Sequence, residues 1–178
     1  MNVEDRRREV VLTKEDIANR VKELGVELSK DYEGKNLLAI SLLKGSFIFT
    51  ADLVREMSVP VHIEFMITSS YGHGEESTGE LKIVKDIDVE DLSSFDVLIV
   101  DDIVDSGITM YETMKLLKAR NPKSIKSCTL LDKPSRRVAD ITPDYCGFSI
   151  PDKFIVGYGL NYKNHFRNID HIFAFVED

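Results

Sequence analysis

The stretch Val97-Leu98-Ile99-Val100-Asp101-Asp102-Ile103-Val104-Asp105-Ser106-Gly107-Ile108-Thr109 decides the fold. Four apolar residues run into two adjacent carboxylates, and a third carboxylate opens a loop of Ser, Gly, Ile and Thr. Beyond Thr109 the pattern turns helical, with Met110, Met114, Leu116 and Leu117 apolar and Glu112, Lys115 and Lys118 polar. The spacing predicts a buried parallel strand, a tight loop and a helix. Ligands of open α/β sheets bind outside the carboxyl ends of such strands. A small-residue loop at a helix start offers backbone N–H groups to a phosphate. Acids and hydroxyls at such a junction also serve as simple caps. Three carboxylates at one strand mouth, however, repel one another and cost stability unless a cation or sugar hydroxyls engage them. The arrangement points to a metal-bound, phosphorylated sugar.

Upstream, residues 36–43 form an apolar run, a predicted strand that ends in Lys44-Gly45-Ser46. A helical pattern follows through Phe47, Ala51, Val54 and Met57 until Pro60 stops it. Residues 61–67 alternate apolar and polar as a strand does. Residues 69–79 are polar and glycine-rich without periodicity, which predicts a long mobile loop, in compact domains either a functional lid or a disordered segment. Residues 81–87 return as a strand, and 88–95 connect to the central stretch. Near the N-terminus, Thr13 and Asp16 form a capping-box pattern before Ile17, Val21, Leu24 and Leu28 at helical spacing. Downstream, Asn121-Pro122 ends the central helix. A strand over 124–131 closes in Asp132-Lys133-Pro134, and shorter strands are predicted over 145–150, 155–158 and 171–176. Alternating strands and helices predict an α/β chain with a mostly parallel sheet and helices on both faces.

The 178 residues suit one domain spanning 1–178. With 43% hydrophobic and 30% charged residues, the chain can bury a real core. Its net charge of -8 makes it a poor general binder of nucleic acid or anionic membrane. No apolar run approaches the ~18 residues of a membrane span, and the charged N-terminus lacks a signal-type apolar region. Cys128 and Cys146 make neither a disulfide framework nor a zinc quartet. His62, His73, His165 and His171 lack metal-ligand spacing. A cytoplasmic protein is expected.

The 97–109 stretch resembles the phosphoribosyl-pyrophosphate-binding motif of the type I phosphoribosyltransferases. Four further segments resemble the hypoxanthine-guanine phosphoribosyltransferases of bacterial type. Leu43-Lys44-Gly45 is similar to their pyrophosphate loop, and Ser69-Ser70-Tyr71-Gly72 to their closing lid. Leu131-Asp132-Lys133-Pro134 places a lysine where that family reads the purine. Ile150-Pro151-Asp152-Lys153-Phe154-Ile155-Val156-Gly157-Tyr158-Gly159-Leu160, with Arg167 beyond, is similar to their C-terminal signature.

The resemblance implies the type I phosphoribosyltransferase fold, with a core over about 36–145 and a hood built from the terminal segments. It implies a purine-salvage enzyme. Such an enzyme moves the 5-phosphoribosyl group of phosphoribosyl pyrophosphate to hypoxanthine or guanine, giving IMP or GMP and pyrophosphate. The relatives use Mg2+ and form homodimers or homotetramers. Residue by residue, Asp101 and Asp102 would hold the ribose hydroxyls and the metal. Asp105 would be the catalytic acid and base at the purine. Asp105, Ser106, Gly107, Ile108 and Thr109 would cradle the 5-phosphate. Lys44, Gly45 and Arg167 would meet pyrophosphate, and Ser70 and Tyr71 would belong to the lid. Lys133, Lys153, Phe154 and Ile155 would bind the purine.

Two positions depart from the family pattern. Asp101-Asp102 stands where Glu-Asp is usual, which keeps the charge. Asn161 stands where the family has a metal-binding Asp, so a carbonyl oxygen remains and a negative charge is lost. The second reading on the same fold is a nucleotide-sensing regulator with weak or no catalysis. A phospho-acceptor receiver domain is set aside, because residues 36–45 contain no acid.

Overall fold

The computed structural model describes residues 6–70 and 81–176. Tyr71 and most of the predicted 69–79 loop lie outside the described residues, and Ser70 is described only as the last residue of its strand. The elements run β1 (Arg8–Leu12), α1 (Lys14–Asp31), β2 (Leu37–Leu43), α2 (Phe47–Arg55), β3 (Val61–Ser70), β4 (Leu81–Lys85), β5 (Asp96–Val104), α3 (Ile108–Lys118), β6 (Ser124–Asp132), β7 (Tyr145–Ser149), β8 (Ile155–Val156) and β9 (Ile172–Phe175).

A six-stranded sheet has the order β4-β3-β2-β5-β6-β7. Its neighbours pair in parallel, except that β4 returns antiparallel to β3. From β2 the chain steps outward through α2 to β3, and from β5 it steps the other way through α3 to β6. The reversal lies between β2 and β5, where sheets of this kind leave a crevice at the strand ends. Parallel pairing puts the carboxyl ends of β2, β5, β6 and β7 on one rim. Lys44, Asp101 to Asp105, Lys133 and Pro151 to Phe154 therefore leave the sheet at the same edge.

Both faces of the central strands are covered, as their unbroken apolar runs require. Leu37, Ala39, Leu98, Val100, Cys128 and Leu130 pack under α1 and α2. Leu38, Ile40, Val97 and Ile99 pack on the other face with Met110 and Leu117 of α3. The Thr13–Asp16 capping box forms as read, with reciprocal bonds of 3.0 and 3.1 Å. Cys128 is buried and Cys146 half-buried, and both are free thiols. Among the described residues, no helix is long and apolar enough to cross a membrane.

The structure departs from the sequence reading at several edges. The sheet extends beyond residue 145, because β7 joins it as an edge strand. The strand expected over 155–158 stops at Val156, since Gly157 and Tyr158 take φ of 106° and 49°. The helix expected through Met57 ends at Arg55. The strand β1 was not anticipated. It pairs antiparallel with β9, and β9 with β8, in a separate sheet ordered β1-β9-β8. This small sheet joins the two terminal segments into the expected hood. Arg8 braces it, its guanidinium 4.9 Å from the ring centres of both Phe166 and Phe173.

Candidate active site

The end of β5 carries the two adjacent carboxylates, each accepting the N–H of the residue that follows it. Asp101 Oδ1 accepts the Asp102 N–H at 2.9 Å, and Asp102 Oδ1 accepts the Ile103 N–H at 2.8 Å. Burial raises the pKa of both side chains, and for Asp101 the neighbouring Asp102 charge adds to it. The positive charge of Arg167 opposes the rise at Asp102. Two hard-oxygen donors that burial and mutual repulsion disfavour as anions are suited to a divalent cation. The chemistry of the pair therefore fits Mg2+. Among the described residues, no group of three or more His, Cys, Asp or Glu gathers for a metal, so the protein offers the Asp101–Asp102 pair alone here.

After Asp105 the chain turns through Gly107, whose φ of 82° belongs to glycine. A Cβ there would lie 2.7 Å from Ile141 Cγ2 and 2.8 Å from Arg137 Cδ, so space forbids one as well. Gly107 sits at the start of α3 with no side-chain cap. The Ile108 N–H, the first of the helix, donates instead to Ser106 Oγ at 3.4 Å. A cavity of about 240 Å³ opens here, lined by Asp101, Asp102, Asp105, Ser106, Gly107 and Thr109 among others.

Arg137 clips this loop from behind. Its Nε donates to the Asp105 carbonyl at 3.3 Å, and its two terminal nitrogens donate to the Ile141 carbonyl and the Asp132 carboxylate. The Val138 and Ala139 N–H groups add bonds to the Ser106 carbonyl at 2.8 and 3.0 Å. The Arg137 and Asp132 side chains are only 16% and 11% exposed. Arg137→Ala would strand a buried carboxylate, a change that costs about 3–5 kcal/mol. In a chain of this size that lowers Tm by roughly 6–20 °C. Thermal unfolding measures it, and a milder loss is expected for the double variant Asp132→Leu with Arg137→Met.

Lys44 and Gly45 follow β2 on the same rim. A Cβ on Gly45 would lie 1.9 Å from Asp102 Oδ2, so the loop rests directly on the acidic pair. A Cβ on Gly159 would lie 2.2 Å from the Gly45 carbonyl, so the C-terminal turn rests on the loop in its turn. Arg167 is held to that turn. Its Nη1 donates to the Gly159 carbonyl at 2.6 Å, and its own carbonyl accepts the Gly159 N–H at 2.9 Å. The Tyr158 hydroxyl ties the turn to Asp52 of α2. Lys44, Gly45, Asp102 and Arg167 are thus brought together. Asn161 follows the same turn two residues beyond Gly159.

A chain of charges links Asp105 to Lys133. Arg136 Nε lies 2.8 Å from Asp105 Oδ1, and Arg136 Nη1 lies 3.3 Å from Asp152 Oδ2. Lys133 Nζ lies 3.9 Å from Asp152 Oδ1. Lys133 is 6% exposed, whereas the Asp105 and Arg136 side chains are about half exposed. Phe154 is 61% exposed and meets Tyr162 edge-on at 5.9 Å, so it is no core residue. Lys153 pairs with Glu9 of β1 at 3.1 Å, which joins the hood to this segment. The Lys153 N–H is already donated to the Pro151 carbonyl at 2.8 Å. Ile155 is buried and opens β8 opposite Ala174. The sequence reading missed Arg136 and Arg137. The only signal was an adjacent basic pair shortly after Lys133-Pro134.

Comparison with known proteins agrees with this geometry. The family model of the phosphoribosyl transferase domain matches residues 9–163. A hypoxanthine phosphoribosyltransferase of Buchnera aphidicola is 50% identical over 92% of this chain and 93% of its own length. The Salmonella typhimurium hypoxanthine phosphoribosyltransferase is 46% identical over 92% of this chain and 93% of its own. A crystal structure of the Staphylococcus aureus hypoxanthine phosphoribosyltransferase superposes with a TM-score of 0.92 at 46% identity, covering 99% of this chain and 96% of that one. A hypoxanthine-guanine phosphoribosyltransferase of Bacillus anthracis superposes with a TM-score of 0.90 at 42% identity, covering 97% of this chain and 100% of that one. With the mostly parallel sheet, the acidic strand end and the Gly107 turn in place, the chain belongs to the hypoxanthine-guanine phosphoribosyltransferases.

Proposed function

We propose that the chain transfers the 5-phosphoribosyl group of phosphoribosyl pyrophosphate to hypoxanthine or guanine, forming IMP or GMP and releasing pyrophosphate. One observation carries this reading. Lys133 and Asp105, from the ends of two neighbouring strands, are bridged through Asp152 and Arg136 at the rim that also bears the phosphate loop. Core and hood work as one unit, because Lys153, Phe154 and Ile155 enter the site from the hood side.

The loop from Asp105 to Thr109 holds the 5-phosphate with backbone N–H groups at the start of α3 and with two hydroxyls. Asp101 and Asp102 engage the ribose hydroxyls. Their charge favours the positive sugar ring of an oxocarbenium-like transition state. They are also the residues that would hold Mg2+. Bound there, Mg2+ supplies charge neutralisation to the sugar and its diphosphate. Lys44, Gly45 and Arg167 receive the departing pyrophosphate, Arg167 with a planar fork suited to phosphate oxygens. Asp105 takes the proton from the purine N7 as the new ribosyl–nitrogen bond forms. Arg136 and the purine compete for that carboxylate, and a half-exposed ion pair of this kind is worth only about 0–1 kcal/mol. Lys133 donates to the purine 6-oxo group, and Phe154 stacks on the ring. At Lys153 the carbonyl, not the engaged N–H, is the group that meets a base donor. Ser70 and Tyr71 belong to the lid in this reading. The free thiols suit a cytoplasmic enzyme, and a homodimer or homotetramer is the expected assembly.

The deciding experiment supplies Mg2+, phosphoribosyl pyrophosphate and each purine in turn and follows nucleotide formation. IMP and GMP are expected, and AMP is not. A nucleotide-sensing regulator would instead shift its melting temperature with ligand and make no product.

Asn161 bears on metal affinity. An amide oxygen is a weaker ligand than a carboxylate for a hard cation. Asn161→Asp is expected to lower the Mg2+ concentration needed for half-maximal rate several-fold and to lower the KM for phosphoribosyl pyrophosphate with it. Unchanged magnesium dependence would remove Asn161 from the metal site.

A further inference from the structure

Three hydroxyls lie buried beneath the loop that carries Lys44 and Gly45. Ser41, Ser46 and Thr50 are 0%, 0% and 2% exposed. Ser41 Oγ lies 2.7 Å from Ser46 Oγ and 2.8 Å from Thr50 Oγ1, and Ser46 Oγ donates to the Leu42 carbonyl at 2.6 Å. Each hydroxyl has one proton to give. The last bond therefore sets the direction of the others. Ser46 gives its proton to Leu42, so it accepts from Ser41, and Ser41 accepts from Thr50. The chain of donation runs from α2, across β2, to the loop.

Ser46 occupies the N-cap position of α2, where a serine hydroxyl ordinarily accepts an N–H of the first turn. Here it makes no such bond. Its hydroxyl instead reaches back across the loop to Leu42, which leaves Leu43, Lys44 and Gly45 between two tied ends. Above, the same loop is pressed between Asp102 and Gly159. Apolar residues would fill the space between β2 and α2 equally well. Hydroxyls add direction, and a one-way chain strengthens each of its bonds.

We propose that the Thr50–Ser41–Ser46 chain positions the 43–45 loop for pyrophosphate. The inference rests on the reading of that loop as the pyrophosphate site. Ser41 and Thr50 touch no substrate and act through Ser46. Ser41→Ala and Thr50→Val each interrupt the chain without a large change of volume. Each is expected to raise the KM for phosphoribosyl pyrophosphate and the inhibition constant of pyrophosphate about fivefold, the size of one hydrogen bond. The KM for hypoxanthine stays put. The double variant is no worse than either single one, because both cut the same chain. Thr50→Ser, which keeps the hydroxyl, restores the parent values.

If Thr50→Val lowers Tm yet leaves pyrophosphate inhibition unmoved, or if Thr50→Ser behaves as Thr50→Val does, the inference is overturned. If Ser41→Ala does not fold, Thr50→Val decides alone, since it leaves Ser41 and Ser46 paired. A titration of the parent protein with pyrophosphate and Mg2+, followed at the Gly45 amide by NMR, separates the two levels. A Gly45 resonance that does not move takes down the reading of the loop itself. A Gly45 resonance that moves, with variants that bind pyrophosphate as the parent does, takes down only the hydroxyl chain.

Discussion

Asp105→Asn lowers kcat about 10²- to 10⁴-fold, the usual contribution of a positioned acid or base. The KM for phosphoribosyl pyrophosphate changes little. The substitution keeps the shape of the side chain and removes its capacity to take a proton. The loop itself survives, because it is held by the Asp105 carbonyl, which Arg137 binds, and by the Ser106 carbonyl, which Val138 and Ala139 bind. None of those bonds uses the Asp105 carboxylate. Arg136 loses one of its two carboxylates and keeps Asp152. Single-turnover measurements at saturating substrates isolate the step. A variant that retains more than about a tenth of the parent rate would fall below the range for such a group and remove Asp105 from proton transfer.

Lys133→Gln is expected to collapse the preference for 6-oxo over 6-amino purines. Sites built on a hydrogen bond to one substrate group reject the analogue lacking it by about 10⁴–10⁵. The ammonium of Lys133 has only donors. Facing a 6-amino group it would be left unpaired, and its near-complete burial removes water as a substitute. Glutamine presents both a donor and an acceptor and accommodates either base. The ratio of kcat/KM for hypoxanthine over adenine should therefore fall by orders of magnitude, partly through lost hypoxanthine activity. The partner carboxylate Asp152 is half exposed and can rehydrate, so the fold should tolerate the change. An unaltered ratio would place the purine elsewhere.

What the sequence disclosed follows the range of the interactions involved. The central strands and helices were legible because their apolar periodicity and caps are local. Thr13–Asp16 needed only three residues of separation. The acidic stretch and its loop were legible for the same reason, as one contiguous motif. The strand β1 was not. Arg8–Leu12 carries two charges in five residues and becomes a strand only through β9, which lies at the far end of the chain. Lys44 and Arg167 could be named by resemblance alone. Their segments come together through two glycines, Gly45 resting on the Asp102 side chain and Gly159 on the Gly45 carbonyl. The clip made by Arg137 depends on a single 3-10 turn, Pro134–Arg136, which sets the direction of the next side chain. Nothing local marks Ser41 within the 36–43 run, because its partners sit five and nine residues on across a bend.

The pairing of β1 with β9 has a consequence for how the protein is made. Ribosomes extend chains at roughly 5–20 residues per second, and domains start to fold as they emerge. The acidic end of β5 and the Gly107 turn emerge first, the Arg137 clip follows just after β6, and the Gly159 turn that rests on Gly45 comes later still. β1 must wait for almost the whole remaining polypeptide before β9 arrives. A nascent chain therefore has the strands of its six-stranded sheet available before its three-stranded one can form, and β1 travels without its partner strand through most of translation.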